Sequence, residues 1–347
     1  MTSPTPRVVQ CPICADEFPS GGLPLSVFDE ESFSYNTVDV SRMPPARQAY
    51  IRSGGYIHCP NPSGDMSEHY LPAAYLDHPD PLVVALIGPS MSGKTYLLTA
   101  MISEVLRGGL SGYGVAASVM DFRWHESFSR THLEPFARGE ILPGTRSGIM
   151  DAATMLLLRS AGVTRPVAFF DVAGEDLEST SVFGLSTRFL SATNAAIFVH
   201  GLDDSPAGHA AWSFELATER LRAIPGGADR LPVVIAVTKA DRMRYQPPVD
   251  RWLRAVERPP LEAARIYAQS RDVYAYLHSV GAHGSLRPFE AFRRCTLHFV
   301  SATGADEGAD RRLERGTRPE QVLNPLVALL AMTGVIPGPE AGKVGLP

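Results

Sequence analysis

The stretch from Gly88 to Thr95, GPSMSGKT, combines glycines, a lysine and a threonine in an order that suits phosphate chemistry. It fits the pattern G-x-x-x-x-G-K-[ST], in which the glycines let backbone N–H groups curl around phosphate oxygens. In such a loop Lys94 reaches the β- and γ-phosphates and Thr95 binds Mg²⁺. The residues predicted to contact the nucleotide here are Gly88, Ser90, Ser92, Gly93, Lys94, Thr95 and Tyr96.

A strand and a helix must hold this loop. The apolar run Leu82–Ile87 is typical of a buried parallel strand, and apolar residues recur at helical spacing from Leu97 to Leu106. A simple glycine turn is the alternative, but it requires neither a strand before the loop nor a helix after it. The setting therefore favours phosphate binding.

Cysteines near the N-terminus form a second chemical group. Cys11 and Cys14 make a C-x-x-C pair, and Cys59 follows much later, beside His58. The fourth ligand of a tetrahedral zinc would be His58, His69 or absent from the chain. We expect His69, because adjacent His58 and Cys59 side chains converge poorly on one ion. Reduced structural cysteines are the alternative. The polar stretch from Tyr35 to Tyr56 between them is expected to be irregular or a hairpin.

From Leu82 onward, short apolar runs alternate with helical stretches, which predicts a mostly parallel, doubly wound α/β sheet. Three more polar motifs each follow a predicted strand: Asp171-Val-Ala-Gly174, Thr238-Lys-Ala-Asp241 and Ser301-Ala-Thr303. The carboxyl ends of parallel strands form the edge where such sheets bind ligands. The motifs are therefore expected to meet the phosphate loop there.

The ordered set GPSMSGKT, DVAG, TKAD and SAT resembles the G1, G3, G4 and G5 motifs of Ras-like GTPases of the translation-factor-related class. It is most similar to the bacterial zinc-ribbon-bearing double-GTPase family. The resemblance covers about residues 82 to 333 and implies GTP or GDP, Mg²⁺ and Zn²⁺ as cofactors. The implied nucleotide contacts outside the phosphate loop are Asp171, Gly174, Thr238, Lys239, Asp241, Ser301 and Ala302.

The resemblance assigns roles that chemistry supports. Asp171 would hold a water on Mg²⁺, and Gly174 would bring a backbone N–H to the γ-phosphate. Asp241 would accept two hydrogen bonds from the N1–H and N2–H₂ edge of guanine, a pair of donors that adenine lacks. Thr238 stands where the motif usually has asparagine.

Catalysis depends on residues that the motifs fix less firmly. Thr145, in the loop before the strand that leads to Asp171, is the expected switch I threonine and Mg²⁺ ligand; a plain loop threonine is the alternative. Arg146 could donate charge to the transition state, although a solvated loop arginine is the simpler interpretation. Glu175 stands at the position of the Ras-like glutamine, which predicts slow intrinsic hydrolysis. Lys94, Glu175 and Thr145 are the predicted catalytic residues.

The chain has 347 residues, a net charge of -5 and four cysteines. This charge makes nucleic acid an unexpected partner, and the longest late apolar run is too short to span a bilayer, so we expect a cytoplasmic protein. The expected organisation is a zinc-ribbon-like segment at 1–78, a P-loop GTPase domain at 79–333 and a disordered tail at 334–347.

The predicted function is a GTP-binding switch with slow Mg²⁺-dependent hydrolysis in a bacterial signalling or conflict system. A protein partner or activating protein is expected. A scaffold that binds GTP without hydrolysing it is the first alternative. A P-loop ATPase that contacts nucleic acid through the zinc ribbon is the second.

Overall fold

The structure, a computed structural model, describes residues 7–64, 66–144, 152–171, 190–202, 207–255, 259–306, 308, 312–314 and 316–346. The strands in these residues are β1 (Val8–Gln10), β2 (Glu17–Pro19), β3 (Leu25–Asp29), β4 (Ser34–Val38), β5 (Tyr56–His58), β6 (Tyr70–Pro72), β7 (Leu82–Ile87), β8 (Val115–Val119), β9 (Ala152–Ser160), β10 (Val163–Asp171), β11 (Ala195–Gly201), β12 (Val233–Thr238) and β13 (Cys295–Phe299).

The α-helices span Pro45–Ser53, Ala73–Asp77, Lys94–Leu106, Phe122–Phe128, Glu134–Ala137, Ala207–Ala223, Gly227–Arg230, Val249–Arg254, Ala263–Ser279, Arg287–Ala291, Asn324–Met332 and Pro339–Lys343. A π-helical segment, Ser129–Leu133, joins two of them. Across the described ranges, no helix combines the length and the apolar character that a membrane crossing requires.

The main sheet has seven strands in the order β13-β12-β11-β7-β10-β9-β8. The five strands from β13 to β10 pair in parallel, whereas β9 pairs antiparallel with both β10 and β8. The predicted class, a mostly parallel α/β sheet, is confirmed.

The central strand β7 explains why its sequence is an unbroken apolar run. Its six residues are all buried, and they alternate between two hydrophobic cores. Val83, Ala85 and Ile87 belong to one core, while Leu82, Val84 and Leu86 belong to the other. Since burying each larger aliphatic side chain contributes about 1.5–3 kcal/mol, this strand gives the adjoining loop a rigid base.

The N-terminal residues form two small sheets, a β1–β2 hairpin and a four-stranded antiparallel sheet in the order β4-β3-β5-β6. Their apolar residues, among them Val9, Ile57 and Tyr75, share one core with the main sheet. The prediction of irregular or hairpin structure between Tyr35 and Tyr56 was wrong, because this stretch contains part of β4 and the helix Pro45–Ser53. Pro45 suits the first helical position, yet the helix buries no residue and therefore has no apolar stripe to reveal it.

One surface of the four-stranded sheet carries a ladder of rings, here called the aromatic face and defined as Phe28, Phe33, Tyr35, Tyr56, His58 and Tyr70. Paired strand positions put these side chains on one side, for example Phe28 opposite Tyr35 and His58 opposite Tyr70. Tyr35 and Tyr70 are stacked, with centroids 3.7 Å apart. Arg123 lies over the Phe28 ring at 3.7 Å.

The prediction that residues 334–347 are disordered was also wrong for the part that the structure describes. The segment 334–346 contains the helix Pro339–Lys343, and Val335, Ile336 and Val344 are buried. The Arg294 guanidinium donates to backbone oxygens of Met332, Ala341 and Val344 at 2.6–3.0 Å. A few apolar anchors and one arginine order a segment whose proline and glycine content alone suggests disorder.

Candidate functional site

The phosphate loop lies between β7 and the helix Lys94–Leu106, and two of its glycines are required by geometry. A Cβ on Gly88 would lie 2.4 Å from the backbone oxygen of Val199, on the neighbouring strand β11. Gly93 has φ +88°, in the left-handed region that other residues rarely adopt. The chain therefore turns tightly enough to point backbone N–H groups into the loop.

Lys94 is buried at the centre of this loop. Its Nζ donates to the backbone oxygens of Gly88 at 2.8 Å and Pro89 at 2.9 Å. Burial lowers the pKa of this lysine, and the nearby Asp171 carboxylate partly offsets that effect. A buried ammonium with one nearby carboxylate is well placed to gain from an anionic phosphate.

Thr95 and Asp171 meet because β7 and β10 are parallel neighbours. The Thr95 hydroxyl donates to Asp171 Oδ2 at 2.6 Å. Oxygen ligands on adjacent corners of a Mg²⁺ octahedron lie about 3 Å apart for bond lengths of about 2.1 Å. The two side chains thus fit neighbouring positions around one Mg²⁺.

Thr238, at the end of β12, connects the phosphate loop to the next motif. Its hydroxyl donates to the Ser92 backbone oxygen at 2.5 Å and lies 3.2 Å from the backbone oxygen of His200. Its side chain also packs 3.4 Å from the position of a Cβ on Gly93. A threonine at this point therefore holds the loop by a hydrogen bond and by contact.

Asp241 and Ser301 lie together at the other end of the site. The Ser301 hydroxyl donates to Asp241 Oδ1 at 2.6 Å and accepts from the Gly304 N–H at 3.0 Å. Lys239 adopts φ 56°, and burial lowers its pKa. Asp241 is thereby held in one orientation with a second carboxylate oxygen left for a ligand.

A cavity of about 360 Å³ joins the two ends. The predicted residues that line it are Ser90, Gly93, Lys94, Thr95, Tyr96, Thr238, Lys239, Asp241 and Ala302. Gly88, Ser92, Asp171 and Ser301 contact those residues directly, as described above. The sequence motifs thus converge on one volume.

Several lining residues were not predicted, among them Leu142, Pro143, Arg242 and Leu313. The Leu142 N–H donates to the Tyr96 hydroxyl at 2.9 Å, which fixes the chain just before Thr145. No motif marks Leu142; only its place between the first helix and the Asp171 strand hints at its role. Thr145, Arg146, Gly174 and Glu175 lie outside the described residues.

His132, in the π-helical segment, is another residue that sequence reasoning missed. Its ring stacks on Phe128 at 4.9 Å, and burial lowers its pKa while the Asp171 charge acts in the opposite sense. Single-turn π-helical distortions occur often at functional sites. The segment therefore places the His132 ring within electrostatic reach of Asp171.

The structure brings Cys11, Cys14, Cys59 and His69 together, with their ligand atoms all within 4.8 Å of one another. Cys14 Sγ and Cys59 Sγ are 3.7 Å apart, and Cys11 Sγ lies 3.3 Å from His69 Nε2. Two sulfurs on a tetrahedral zinc at about 2.3 Å would be about 3.8 Å apart, and a sulfur and a nitrogen about 3.5 Å. The four residues fit zinc.

Neighbouring groups orient these ligands. The backbone N–H groups of Ile13 and Cys14 donate to Cys11 Sγ, and His69 Nδ1 lies 2.8 Å from the Ser67 backbone oxygen, which leaves Nε2 to face the sulfurs. Burial raises the pKa of the Cys11 thiol, whereas hydrogen bonds from Cys11 and Cys59 hold the pKa of Cys14 well below its usual range.

His58, the alternative ligand, lies elsewhere. Its ring is on the aromatic face, tilted against Tyr70 at 5.0 Å, and its Nε2 is 3.4 Å from Glu68.

Comparison with known proteins gives one family and one distant likeness. The model of the family described as Double-GTPase 2 matches residues 82–275. No curated protein matches the chain. Among solved structures, the crystal structure of the bacterial selenocysteine-specific elongation factor EF-Sec is similar at 11% identity and a TM-score of 0.31, over 72% of this chain and 29% of that chain. The chain spans less than a third of that protein, and so weak a likeness carries no argument.

Proposed function

The chain belongs to the Double-GTPase 2 family, since the family model covers more than half of its length, and from this premise we propose a guanine-nucleotide switch that hydrolyses GTP slowly. The observation that carries the proposal is one cavity that both Lys94 and Asp241 line. An ammonium for the phosphates and a carboxylate for the guanine edge face the same volume, as a bound GTP requires.

Each described residue has a specific part in holding GTP or GDP. Lys94 and the loop N–H groups bind the phosphates, while Thr238 positions the loop through Ser92. Asp241, oriented by Ser301, selects guanine. Thr95 and Asp171, which share a hydrogen bond, hold Mg²⁺, with Thr145 as the proposed third protein group. Bound Mg²⁺ neutralises charge that develops on the phosphate oxygens.

Hydrolysis requires an oriented water and compensation of the charge on the γ-phosphoryl oxygens. We assign the water to Glu175, which can accept a hydrogen bond from it but brings a negative charge toward an anionic phosphate. Arg146 is the proposed compensating cation. This pairing supports an unassisted rate on the order of 10⁻⁴ to 10⁻² s⁻¹, between GTPases without and with an arginine in cis.

The N-terminal residues extend the proposal. Cys11, Cys14, Cys59 and His69 hold one structural zinc, which stabilises the small sheets beside the GTPase core. By resemblance, we assign the protein to a bacterial signalling or conflict system in the cytoplasm, with an activating protein partner.

Two measurements test this proposal. The nucleotide that co-purifies with the full chain should be GTP or GDP, and Asp241→Asn should exchange guanine for xanthine specificity, because the amide offers a donor where xanthine has an oxygen. Equal affinity of the parent for GTP and ATP would refute guanine selection and favour the ATPase alternative.

Single-turnover hydrolysis of preloaded GTP tests the rate. A rate above about 1 s⁻¹ for the isolated chain would mean that the catalytic groups are complete without a partner. No hydrolysis over many hours, with GTP still bound, would favour the scaffold that holds GTP without turning it over.

A further inference from the structure

The aromatic face is a continuous ladder of rings that extends beyond what the small sheet needs for stability. Centroids follow one another at 6.3 Å from Phe33 to Phe28, 5.1 Å from Phe28 to Tyr35, 3.7 Å from Tyr35 to Tyr70 and 5.0 Å from Tyr70 to His58. Tyr56 is buried behind Tyr35, but the two ends of the ladder are open. The His58 side chain is exposed, and Phe33 is 82% exposed.

Phe33 is in a costly position for a phenylalanine. It lies in the β3–β4 turn with φ 51°, in the left-handed region that favours glycine or asparagine and disfavours bulky side chains by about 1–2 kcal/mol. Its ring contributes little burial in return. A strained backbone that presents an exposed ring points to a role in binding rather than in folding.

The structure itself shows which chemistry these rings accept. Arg123 places its guanidinium 3.7 Å from the Phe28 centroid and 5.7 Å from the Tyr35 centroid, and its Nη1 donates to the Tyr35 hydroxyl at 2.6 Å. A cation over an aromatic face is attracted by the ring quadrupole, and arginine stacks there better than lysine. At the open end of the ladder, no arginine of the described residues lies over the Phe33 ring.

The charge around the aromatic face favours a cationic partner over nucleic acid. Glu30 and Glu31 are exposed in the same turn as Phe33, next to Asp29, and within the described ranges none of the three forms an ion pair with lysine or arginine. Glu68, at the other end, accepts from the Tyr70 hydroxyl at 2.9 Å. Stacked nucleic-acid bases would bring phosphates toward these carboxylates, whereas an arginine-rich segment brings the opposite charge.

We propose that the aromatic face, rimmed by Asp29, Glu30, Glu31 and Glu68, binds an arginine-bearing segment of a partner protein. A guanidinium group of this segment stacks on the exposed Phe33 ring, and the rim carboxylates accept its hydrogen bonds. The surface is separate from the nucleotide cavity, so this binding does not depend on GTP recognition.

The test uses the full chain with GDP and a labelled short arginine-rich peptide, followed by fluorescence anisotropy at physiological salt. The parent should bind this peptide more tightly than a lysine peptide of equal length. Phe33→Asn should weaken binding about threefold to fivefold, the effect of one exposed cation–π contact. The same variant should keep or raise thermal stability, because asparagine tolerates the left-handed turn. A purely structural role for Phe33 predicts the opposite stability change.

Matched controls locate the effect. Tyr50→Ala removes a ring that is 79% exposed in the same N-terminal region but outside the ladder, and it should bind the peptide as the parent does. Glu30→Gln with Glu31→Gln should weaken binding and reduce its salt dependence, whereas Glu215→Gln with Glu219→Gln should not.

Two outcomes would overturn the proposal. One is equal peptide affinity in the parent, Phe33→Asn and the Glu30/Glu31 variant. The other is binding of a labelled oligothymidylate that is lost in Phe33→Asn, which would make the face a platform for single-stranded nucleic acid.

Discussion

The nucleotide edge and the N-terminal cysteine cluster both gather charged groups, but they are built in different ways. At the nucleotide edge, six consecutive buried residues of β7 fix a loop whose backbone provides much of the site. The cysteine cluster joins short segments, with β1, β2, β5 and β6 of three residues each, and it relies on side chains from distant positions. A strand buried on both faces positions the first site, whereas the second depends on four side chains that come from short segments packed against one of the same cores.

This difference predicts that metal removal has the largest effect of any change considered. Cys14→Ser or a strong chelator should unfold the β1–β2 hairpin and the four-stranded sheet, because structural zinc contributes on the order of 10 kcal/mol in small domains. Elemental analysis should find about one zinc per parent chain. Hydrogen exchange should show lost protection in 8–72 and retained protection in β7 and β11.

Cys295→Ala is the control, since Cys295 is buried in β13 away from the cluster and the variant should retain zinc. A metal-free protein in which residues 8–72 keep full protection from hydrogen exchange would refute the prediction that zinc holds this region together.

The second change acts on the nucleotide edge. Lys94→Ala should weaken GTP binding at least about a hundredfold, because charge-assisted hydrogen bonds to phosphate are lost from a buried site. Zinc content should not change, since Lys94 donates to Gly88 and Pro89 and is not one of the four proposed zinc ligands. Lys343→Ala, an exposed lysine paired with Glu340, is the matched control in a nucleotide titration. A folded Lys94→Ala protein that binds GTP normally would refute the phosphate assignment.

Lowering the pH should destabilise the core beneath the nucleotide site through one buried histidine. His298 in β13 is buried between Gln269 Oε1 at 2.8 Å and Thr296 Oγ1 at 3.0 Å, and burial lowers its pKa to about 3. The stability from its neutral form is complete above the unfolded pKa of about 6.5 and is lost as pH falls toward about 3. This group alone should lower the free energy of unfolding by about 2 kcal/mol between pH 7 and pH 5.

Urea unfolding at the two pH values measures this effect. His298→Gln should be less stable than the parent at neutral pH but show a smaller drop on acidification. An equal drop in both proteins would assign the acid sensitivity to other groups.

The smallest effect concerns the orientation of Asp241. Ser301→Ala removes its 2.6 Å hydrogen bond and should weaken GDP binding about tenfold, the lower end of what one hydrogen bond to a charged group contributes. Displacement of a fluorescent GDP analogue gives the affinity. Ser279→Ala, which removes an exposed hydroxyl that donates to Tyr276, serves as the control. Unchanged affinity would show that the backbone alone orients Asp241.

The same contrast explains what the sequence could predict. Sites made by backbone at strand ends appear as short contiguous motifs, so the phosphate loop and the three later motifs could be predicted in their order along the chain. The apolar spacing in residues 261–280 is likewise typical of a helix, and the structure has one at Ala263–Ser279.

Features that depend on tertiary contacts were not predictable. His132 lies in a π-helical segment that no sequence pattern indicated, and the Tyr96–Leu142 hydrogen bond joins residues that no motif links. The tail was wrongly predicted because its order comes from Arg294, which is distant in sequence.

The C-terminal tail also protects the molecule against aggregation through an edge strand. Strand β13 ends the main sheet, and an open edge strand is a template for aggregation. Here the Cys295 N–H donates to the Gly345 oxygen at 3.1 Å, and the Leu297 N–H donates to the Ser270 hydroxyl at 3.0 Å. The tail backbone accepts from the first of these N–H groups and the Ser270 side chain accepts from the second. A strand from another molecule would therefore find both donors already occupied.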